Sequence, residues 1–374
     1  MTQPAHQLWL ATAFLCSAPL AAFAHANTDS VADTALVEPA KIVDCTLENG
    51  DTAQCAAYEV KYLPDTLEIG PFCPATLDDV GGIWNWDGEN AGLYRIDGAF
   101  LSMLSEMGYT FYDENGVVNV FDIRVEGPEA DHECISASLD SEVKMTVLIP
   151  VKPVMADTPQ QLGTVSKVGI GLDGVPIFSD APSVLDRSHM PALDTCGGHV
   201  DPGGWYHWHT TATDIDTVYT NQDVAASCAN VPQDPSAQFA FAFDGFAIYG
   251  SLEANGSKPI GLDQCGGHID TETGIYHYHA SDTFPNLPSC LVGVVAKDNF
   301  STTASAGIGS NNARGGPGGR RPDLTAIAAK LGVTTGDLRS AIKAEGGPGA
   351  NLAQVAERLG ISASKLQAAF PRRP

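Results

Sequence analysis

The sequence predicts a mainly β protein: a duplicated, sandwich-like β module, with a smaller α+β region before it and a short all-α repeat pair after it. Three observations lead to this prediction. Residues 140–297 consist of short alternating or aromatic runs that Gly, Pro and Asp interrupt every few positions. Two stretches within that range resemble each other closely. Two helical stretches near the C-terminus also resemble each other.

Residues 1–26 have the features of a signal peptide. An apolar run from Leu8 to Leu15 precedes a break at Pro19 and small residues that end in AAFAHA. An uncleaved anchor and a lipid on Cys16 are the alternatives, and cleavage before His25 would create a terminal copper chelator. No later stretch is apolar over the length of a membrane. We therefore expect a periplasmic or secreted protein with no transmembrane segment after the signal.

The charge composition argues against nucleic acid as a partner. Among 374 residues, 45 are Asp or Glu and 20 are Lys or Arg, and the net charge of −25 repels phosphate backbones. The tail from Arg314 onward differs, because it holds ten Lys or Arg against four acids. We expect this basic tail to contact an envelope or cell-surface partner, or the acidic body of the same protein.

Eight cysteines follow the signal, an even number that suits four disulfides in an oxidising compartment. Proximity along the chain and the internal repeat suggest the pairs Cys45–Cys55, Cys73–Cys134, Cys196–Cys228 and Cys265–Cys290. The competing interpretation is that Cys196 or Cys265 binds a metal as a thiolate.

Residues 41–135 form the predicted α+β region. The apolar spacing predicts a helix over residues 98–107. The aromatic pair Trp84 and Trp86 is expected in the core, with carbohydrate stacking as the alternative.

The C-terminal part of the chain predicts a linker and two helical hairpins. Residues 301–322 are rich in Gly and Ser, which is typical of a flexible linker. Residues 323–370 contain two similar copies of a short helix pair, in which Thr334 and Ser362 can cap the second helix. The pattern superficially resembles a DNA-reading helix-turn-helix, a function that does not suit an exported chain.

Six of the ten histidines lie in the matching motifs of two similar stretches, which we call the first segment (residues 171–209) and the second segment (residues 242–279). The first contains GLDGVPIF and LDTCGGHVDPGGWYHWH, and the second contains AFDGFAIYG and LDQCGGHIDTETGIYHYH. Corresponding cysteines and first histidines are 69 positions apart, and the later histidine pairs are 70 positions apart. We interpret this similarity as an internal duplication.

The spacing of these histidines predicts metal binding. Residues i and i+2 of a strand project to the same face, so both imidazoles of each His-x-His pair point one way and the aromatic neighbours the other. A Gly-Gly turn can bring the preceding histidine close to them. Three neutral imidazoles suit zinc or copper(II), in one shared site or two. The predicted ligands are His199, His207, His209, His268, His277 and His279.

Six aspartates lie beside these histidines: Asp173, Asp194, Asp201, Asp244, Asp263 and Asp270. We expect them to stabilise turns, and the alternative is that they accept hydrogen bonds from the imidazoles or act as ligands. The alternative to metal binding as a whole is a hydrogen-bonded network of His and Tyr side chains that links strands.

The motifs GGHVDPGGWYHWH, GGHIDTETGIYHYH, FDGFAIYG and GLDGVPIF resemble the YHYH-domain family of exported bacterial proteins. The resemblance covers residues 140–297. The tetrapeptide that names the family is Tyr276–His279, whereas Trp208 replaces the second Tyr in the first segment and Ala247 replaces the more usual Pro. The resemblance implies the domain and its export, and it implies no substrate.

The sequence therefore predicts an exported metal-binding protein and leaves open whether it is an enzyme. Two other functions fit part of the pattern. His209-Thr-Thr and His279-Ala-Ser resemble the paired histidines of metal-free phosphoesterases, in which one imidazole is the base and the other the acid. A disulfide-braced envelope interaction module with a structural histidine network is the other alternative.

Overall fold

Strands dominate the structure, as the sequence predicts, with 32% of residues in strands and 12% in helices. The computed structural model describes residues 26–125, 127–211, 234–271, 273–281, 284–310, 324–344 and 352–369. The strands in this part of the chain are β1 (Lys41–Thr46), β2 (Thr52–Lys61), β3 (Ile83–Trp86), β4 (Gly92–Arg95), β5 (Val120–Asp122), β6 (Cys134–Ser136), β7 (Lys144–Pro150), β8 (Met155–Gln161), β9 (Lys167–Gly171), β10 (Pro176–Phe178), β11 (Gly198–Val200), β12 (Tyr206–Trp208), β13 (Gln238–Ala242), β14 (Ala247–Tyr249), β15 (Gly267–Ile269), β16 (Tyr276–His279), β17 (Cys290–Gly293) and β18 (Phe300–Thr302). The α-helices are α1 (Gly98–Glu106), α2 (Val184–Arg187), α3 (Leu324–Leu331), α4 (Thr335–Ala344), α5 (Leu352–Arg358) and α6 (Ala363–Ala369).

The largest sheet has eight strands in the order β11-β12-β10-β9-β13-β14-β16-β15. Its central strands β9 and β13 are antiparallel, and Gly169 permits their approach, because a Cβ there would lie 2.1 Å from the carbonyl oxygen of Phe241. On each side, a parallel pair (β10 with β12, β14 with β16) leads to an antiparallel hairpin (β11 with β12, β15 with β16). The two segments therefore occupy equivalent positions, and their histidine-bearing hairpins form the two ends of the strand order.

A four-stranded sheet, β1-β2-β7-β18, connects strands from distant parts of the chain. The sheet contains strands from both the predicted α+β region (residues 41–135) and the predicted duplicated module (residues 140–297), because β2 pairs with β7. Strand β18 and a bridge from Thr302 to Ser310 extend the regular structure past residue 301, where the sequence places the start of a linker. Residues 311–322 of that linker and residues 1–25 of the expected signal peptide lie outside the described residues.

A separate apolar core surrounds α1 in the N-terminal part of the chain. Trp84 and Trp86 belong to it and are 2% and 1% exposed, so their expected place in the core is confirmed. The helix expected over residues 98–107 is confirmed as well. It starts after Asp97, whose carboxylate accepts a hydrogen bond from the amide of Phe100.

Three of the four expected disulfides are present, and they are Cys45–Cys55, Cys73–Cys134 and Cys265–Cys290. Cys196 is also disulfide-bonded, whereas its expected partner Cys228 lies outside the described residues. The alternative that Cys196 or Cys265 is a metal-binding thiolate is therefore wrong.

The chain divides into two units, Met1–Ala313 and Arg314–Pro374. The second unit contains α3 to α6 around its own apolar core. The hydroxyls of Thr334 and Ser362 accept amide hydrogen bonds at the starts of α4 and α6, which confirms both expected caps. In the described part of the chain, no helix is long and apolar enough to cross a bilayer.

Candidate metal centres

Strands β12 and β16 carry histidines at alternate positions. His277 and His279 lie within β16, and His207 lies within β12 with His209 directly after it. All four side chains are buried, with exposed fractions between 1% and 8%. The alternation of a strand places each pair of imidazoles on one face, as the sequence predicts.

The neighbouring hairpin strand adds a third histidine to each pair. His199 of β11 lies directly opposite His207, and His268 of β15 lies directly opposite His277. The glycine two residues before each added histidine has a positive φ, 87° in the first segment and 82° in the second. Glycine adopts this conformation without steric cost, which explains the Gly-Gly turns.

We call the group of His199, His207 and His209 the first centre. Its Nε2 atoms converge: that of His209 lies 3.1 Å from Nε2 of His199 and 3.0 Å from Nε2 of His207. The donor atoms of the whole group lie within 4.8 Å of one another.

The other nitrogen of two of these rings shows where the hydrogen lies. Nδ1 of His209 is 2.5 Å from the carbonyl oxygen of Ser179, and Nδ1 of His199 is 3.2 Å from that of Pro191. A carbonyl oxygen can only accept, so Nδ1 carries the hydrogen in both neutral rings. Their Nε2 atoms therefore direct lone pairs toward each other with no hydrogen between them.

Burial keeps the imidazoles of the first centre from taking up a second proton. It lowers the pKa of His209 to about 4. Burial, together with the charge of neighbouring imidazoles, lowers the pKa values of His199 and His207 well below 6.5. All three rings are therefore neutral at pH 7, and their converging lone pairs form a set of donors for a cation.

His207 occupies the most apolar position of the first centre. Its ring centroid is 4.9 Å from that of Trp205 and 5.2 Å from that of Phe178. Among the described residues, its Nδ1 has no hydrogen-bond partner. The tautomer of His207 is therefore adjustable: its hydrogen can lie on Nε2, facing His209, or on Nδ1 when Nε2 binds an ion.

We call the group of Glu253, His268, His277 and His279 the second centre. Nε2 of His277 lies 3.1 Å from Nε2 of His268 and 3.0 Å from Nε2 of His279. Nδ1 of His279 is 2.8 Å from the carbonyl oxygen of Gly250, the position that corresponds to Ser179 in the first segment. Burial and the neighbouring imidazoles lower the pKa of His277 to about 4.

Glu253 is the one member of either group that the sequence does not indicate. Its two carboxylate oxygens lie 3.4 Å from Nε2 of His268 and 3.8 Å from Nε2 of His279. No periodicity relates Glu253 to the histidines, and Pro182 stands at the corresponding position of the first segment. Only the turn after β14 brings this carboxylate to the imidazoles.

The donor separations can be compared with those around a bound ion. Zinc held at about 2.0–2.1 Å by tetrahedral ligands keeps its donors about 3.4 Å apart. The separations of 3.0 to 3.8 Å in the second centre bracket that value. Two donor separations of the first centre, 3.0 and 3.1 Å, are slightly shorter than that value, and none exceeds 4.8 Å. Both groups therefore have the geometry of three-nitrogen sites, and the second has a carboxylate as fourth donor.

The aromatic residues of β12 and β16 make hydrogen bonds on the opposite face. The hydroxyl of Tyr278 donates to Asp244 over 2.6 Å, and the indole N–H of Trp208 donates to Asp173 over 3.1 Å. Trp208 therefore preserves the donor of the tyrosine that it replaces. These contacts orient the strands that carry the imidazoles.

The aspartates beside the Gly-Gly turns have the same role. Asp194 and Asp263 accept hydrogen bonds from the hydroxyls of Tyr206 and Tyr276, at 2.7 and 3.0 Å. Their other oxygens accept amides of their own turns, which confirms the expectation that they stabilise turns. Burial raises the pKa of Asp194 to about 6. Backbone carbonyls, rather than these carboxylates, accept the Nδ1 hydrogens of His199, His209 and His279.

Comparison with known proteins agrees with these motifs. Residues 146–260 match the family model described as YHYH protein. The chain contains a YHYH domain. No curated protein and no solved structure matches the chain. The residues that match the family model include the first centre and end before His268, so the tetrapeptide Tyr276–His279 lies beyond the matched range.

The six histidines that the sequence predicts as metal ligands form two groups of three in the structure, rather than one shared group. This arrangement bears on the paired-histidine phosphoesterase hypothesis. His209 and His279 belong to different groups, and each has Nδ1 at a carbonyl and Nε2 among other imidazoles. They are not placed as the acid and base of one reaction.

Proposed function

We propose that this YHYH protein is a periplasmic or secreted metal-binding protein whose first and second centres each hold one zinc or copper(II) ion. One observation carries the proposal: Nε2 of His199 and Nε2 of His209 lie 3.1 Å apart, although both rings carry their hydrogen on Nδ1. Two facing lone pairs repel each other, and an ion bound by both converts that repulsion into coordination.

The chemistry of the donors supports zinc or copper(II). Neutral imidazoles are ligands for both ions, and a carboxylate is compatible with either. The cysteines that precede His199 and His268 by three residues are in disulfides, so they offer no thiolate for softer metals.

Export and duplication belong to the same proposal. Disulfides form and persist in oxidising compartments, which is consistent with a periplasmic or secreted location. The equivalent positions of the two segments in the eight-stranded sheet are consistent with duplication of one histidine-bearing unit. The basic residues from Arg314 onward would serve contacts with envelope anions.

Elemental analysis of tag-free mature protein tests the proposal. We expect about two equivalents of zinc or copper after loading and desalting, about one in H209Q, and about one in H279Q. H132Q is the matched control, because His132 packs against Tyr109 and Phe111, outside both centres, and this variant should keep both ions. Absence of bound metal in the wild type, with H209Q changing only the melting temperature, would instead show that the histidines form a structural network.

A further inference from the structure

The two centres differ in how the rest of the chain covers them. In the first segment, residues 191–195, which lead into the turn before His199, are all buried. The corresponding residues 260–264 of the second segment are all exposed. The same turn is therefore enclosed at the first centre and open to solvent at the second.

The cover of the first centre comes from the N-terminal part of the chain. Ile83 and Leu193 form an antiparallel bridge with N···O distances of 2.8 and 3.2 Å. Gly82 packs so closely that a Cβ there would lie 1.8 Å from the carbonyl oxygen of Leu193. The amide of Gly70 donates to Asp194 over 3.2 Å. Exposure of the turn before His199 therefore requires these tertiary contacts to break.

Among the described residues, the second centre has no comparable cover. Ile260, Leu262 and Ile269 are 83%, 36% and 62% exposed, whereas their counterparts in the first segment are buried. The side chains of His268 and Glu253 are 18% and 26% exposed. Two of the four donors of the second centre can therefore be reached by water.

The donors also differ in charge. Glu253 gives the second centre a carboxylate, whereas the described donors of the first centre are three neutral imidazoles. A partly exposed carboxylate attracts a cation from solution and adds a negative charge to its coordination. At the first centre, a cation exchanges its hydration water for three neutral nitrogen atoms alone, two on the buried rings of His207 and His209 and one on the half-buried ring of His199.

From these differences we propose that the second centre exchanges its metal ion with the surroundings, while the first centre retains its ion. The inference rests on the metal binding proposed above. At the second centre, water can replace Glu253 and His268 one at a time, because both side chains reach solvent. At the first centre, two of the three ligands are buried, and the third, half-buried His199, is hydrogen-bonded to Pro191 in the buried stretch that pairs with Ile83. Release of the ion there therefore requires local unfolding of this stretch. The second centre is thus the place where a divalent transition-metal ion is taken up or given away.

Loss of zinc to excess EDTA tests the proposal. The mature full-length protein is loaded with two equivalents, mixed with EDTA and desalted at intervals, and bound zinc is measured by elemental analysis. We expect two phases of one equivalent each, with rates that differ at least about tenfold. H279Q should remove the fast phase and H209Q the slow phase.

Two further variants connect the rates to the structure. E253Q should accelerate the fast phase and leave the slow phase unchanged. E106Q, in an exposed glutamate of α1 outside both centres, is the matched control and should change neither phase. I83A should accelerate the slow phase only, because it weakens the cover of the first centre.

The outcomes separate this proposal from the proposed function. A protein that takes up no zinc contradicts metal binding altogether. Two equivalents that leave in a single phase, a fast phase that survives H279Q, or uptake of only one equivalent overturn the exchange proposal and leave metal binding intact. If H209Q or H279Q does not fold, the phases of the wild type and the response to E253Q decide the question.

Discussion

Metal binding at the first centre should release far fewer protons at pH 6 than metal binding to three ordinary histidines would. Burial lowers the pKa of His209 to about 4 and the pKa values of His199 and His207 well below 6.5. An ordinary imidazole with a pKa of about 6.5 is about 75% protonated at pH 6, so three of them would lose about 2.3 protons to an incoming ion. His209, whose pKa is about 4, holds only about 0.01 proton at pH 6, and the lowered pKa values of His199 and His207 keep those rings mainly neutral, so the total release falls far below about 2.3 protons.

Calorimetric titration measures this number directly. The double variant H277Q/H279Q isolates the first centre, because it removes two imidazoles of the second. Titration with Zn²⁺ at pH 6 in two buffers of different ionisation enthalpy yields the protons released per ion. A zinc-bound water with a pKa of about 7 adds only about 0.1 proton at this pH. Release of two or more protons per ion would refute the reasoning, because it would mean that the imidazoles are protonated in the folded protein.

Three further predictions concern the scaffold around the centres. Y278F should destabilise the protein by about 1–3 kcal/mol, since buried Asp244 loses a hydrogen-bond donor, and a melting temperature unchanged from the wild type would contradict this. Removal of the Cys265–Cys290 disulfide by paired Ser substitution should cost about 3 kcal/mol and weaken zinc binding at the second centre; equal weakening at both centres would argue against a local effect. L338A should destabilise the helical unit by about 2–5 kcal/mol, measured by hydrogen exchange, with both zinc equivalents retained; loss of either would link that unit to the metal sites.

The sequence could predict the histidines of both centres because their geometry is local. Alternation along β12 and β16 places two imidazoles on one face, and a hairpin brings the third opposite them. Helix α1 could be predicted for the same reason, because its Asp97 cap and its apolar residues are adjacent in sequence. The caps of the C-terminal helices could be predicted for the same reason.

The features that could not be predicted depend on distant parts of the chain. Glu253 reaches the second centre only because the turn after β14 folds toward β15 and β16. The cover of the first centre depends on the pairing of Ile83 with Leu193, which are 110 positions apart in sequence. The pairing of β18 with β7 ordered residues that their composition assigned to a linker. Composition and periodicity contain no information about such contacts.

Aromatic residues and histidines alternate along β12 and β16, so one face of each strand carries the imidazoles and the other face carries the hydrogen bonds that hold the strand in place. The Nε2 atoms of His199 and His209, 3.1 Å apart with both ring hydrogens on Nδ1, are unfavourable neighbours without an ion, so other contacts must hold the strands in place. The aromatic face supplies them, through Tyr278 with Asp244 and Trp208 with Asp173. Because these bonds do not involve the imidazoles, the donors are positioned before an ion arrives, and binding need not order them. Tyr and Trp can therefore exchange within the motif as long as the donor remains, whereas Phe at either position would separate the strand from its carboxylate.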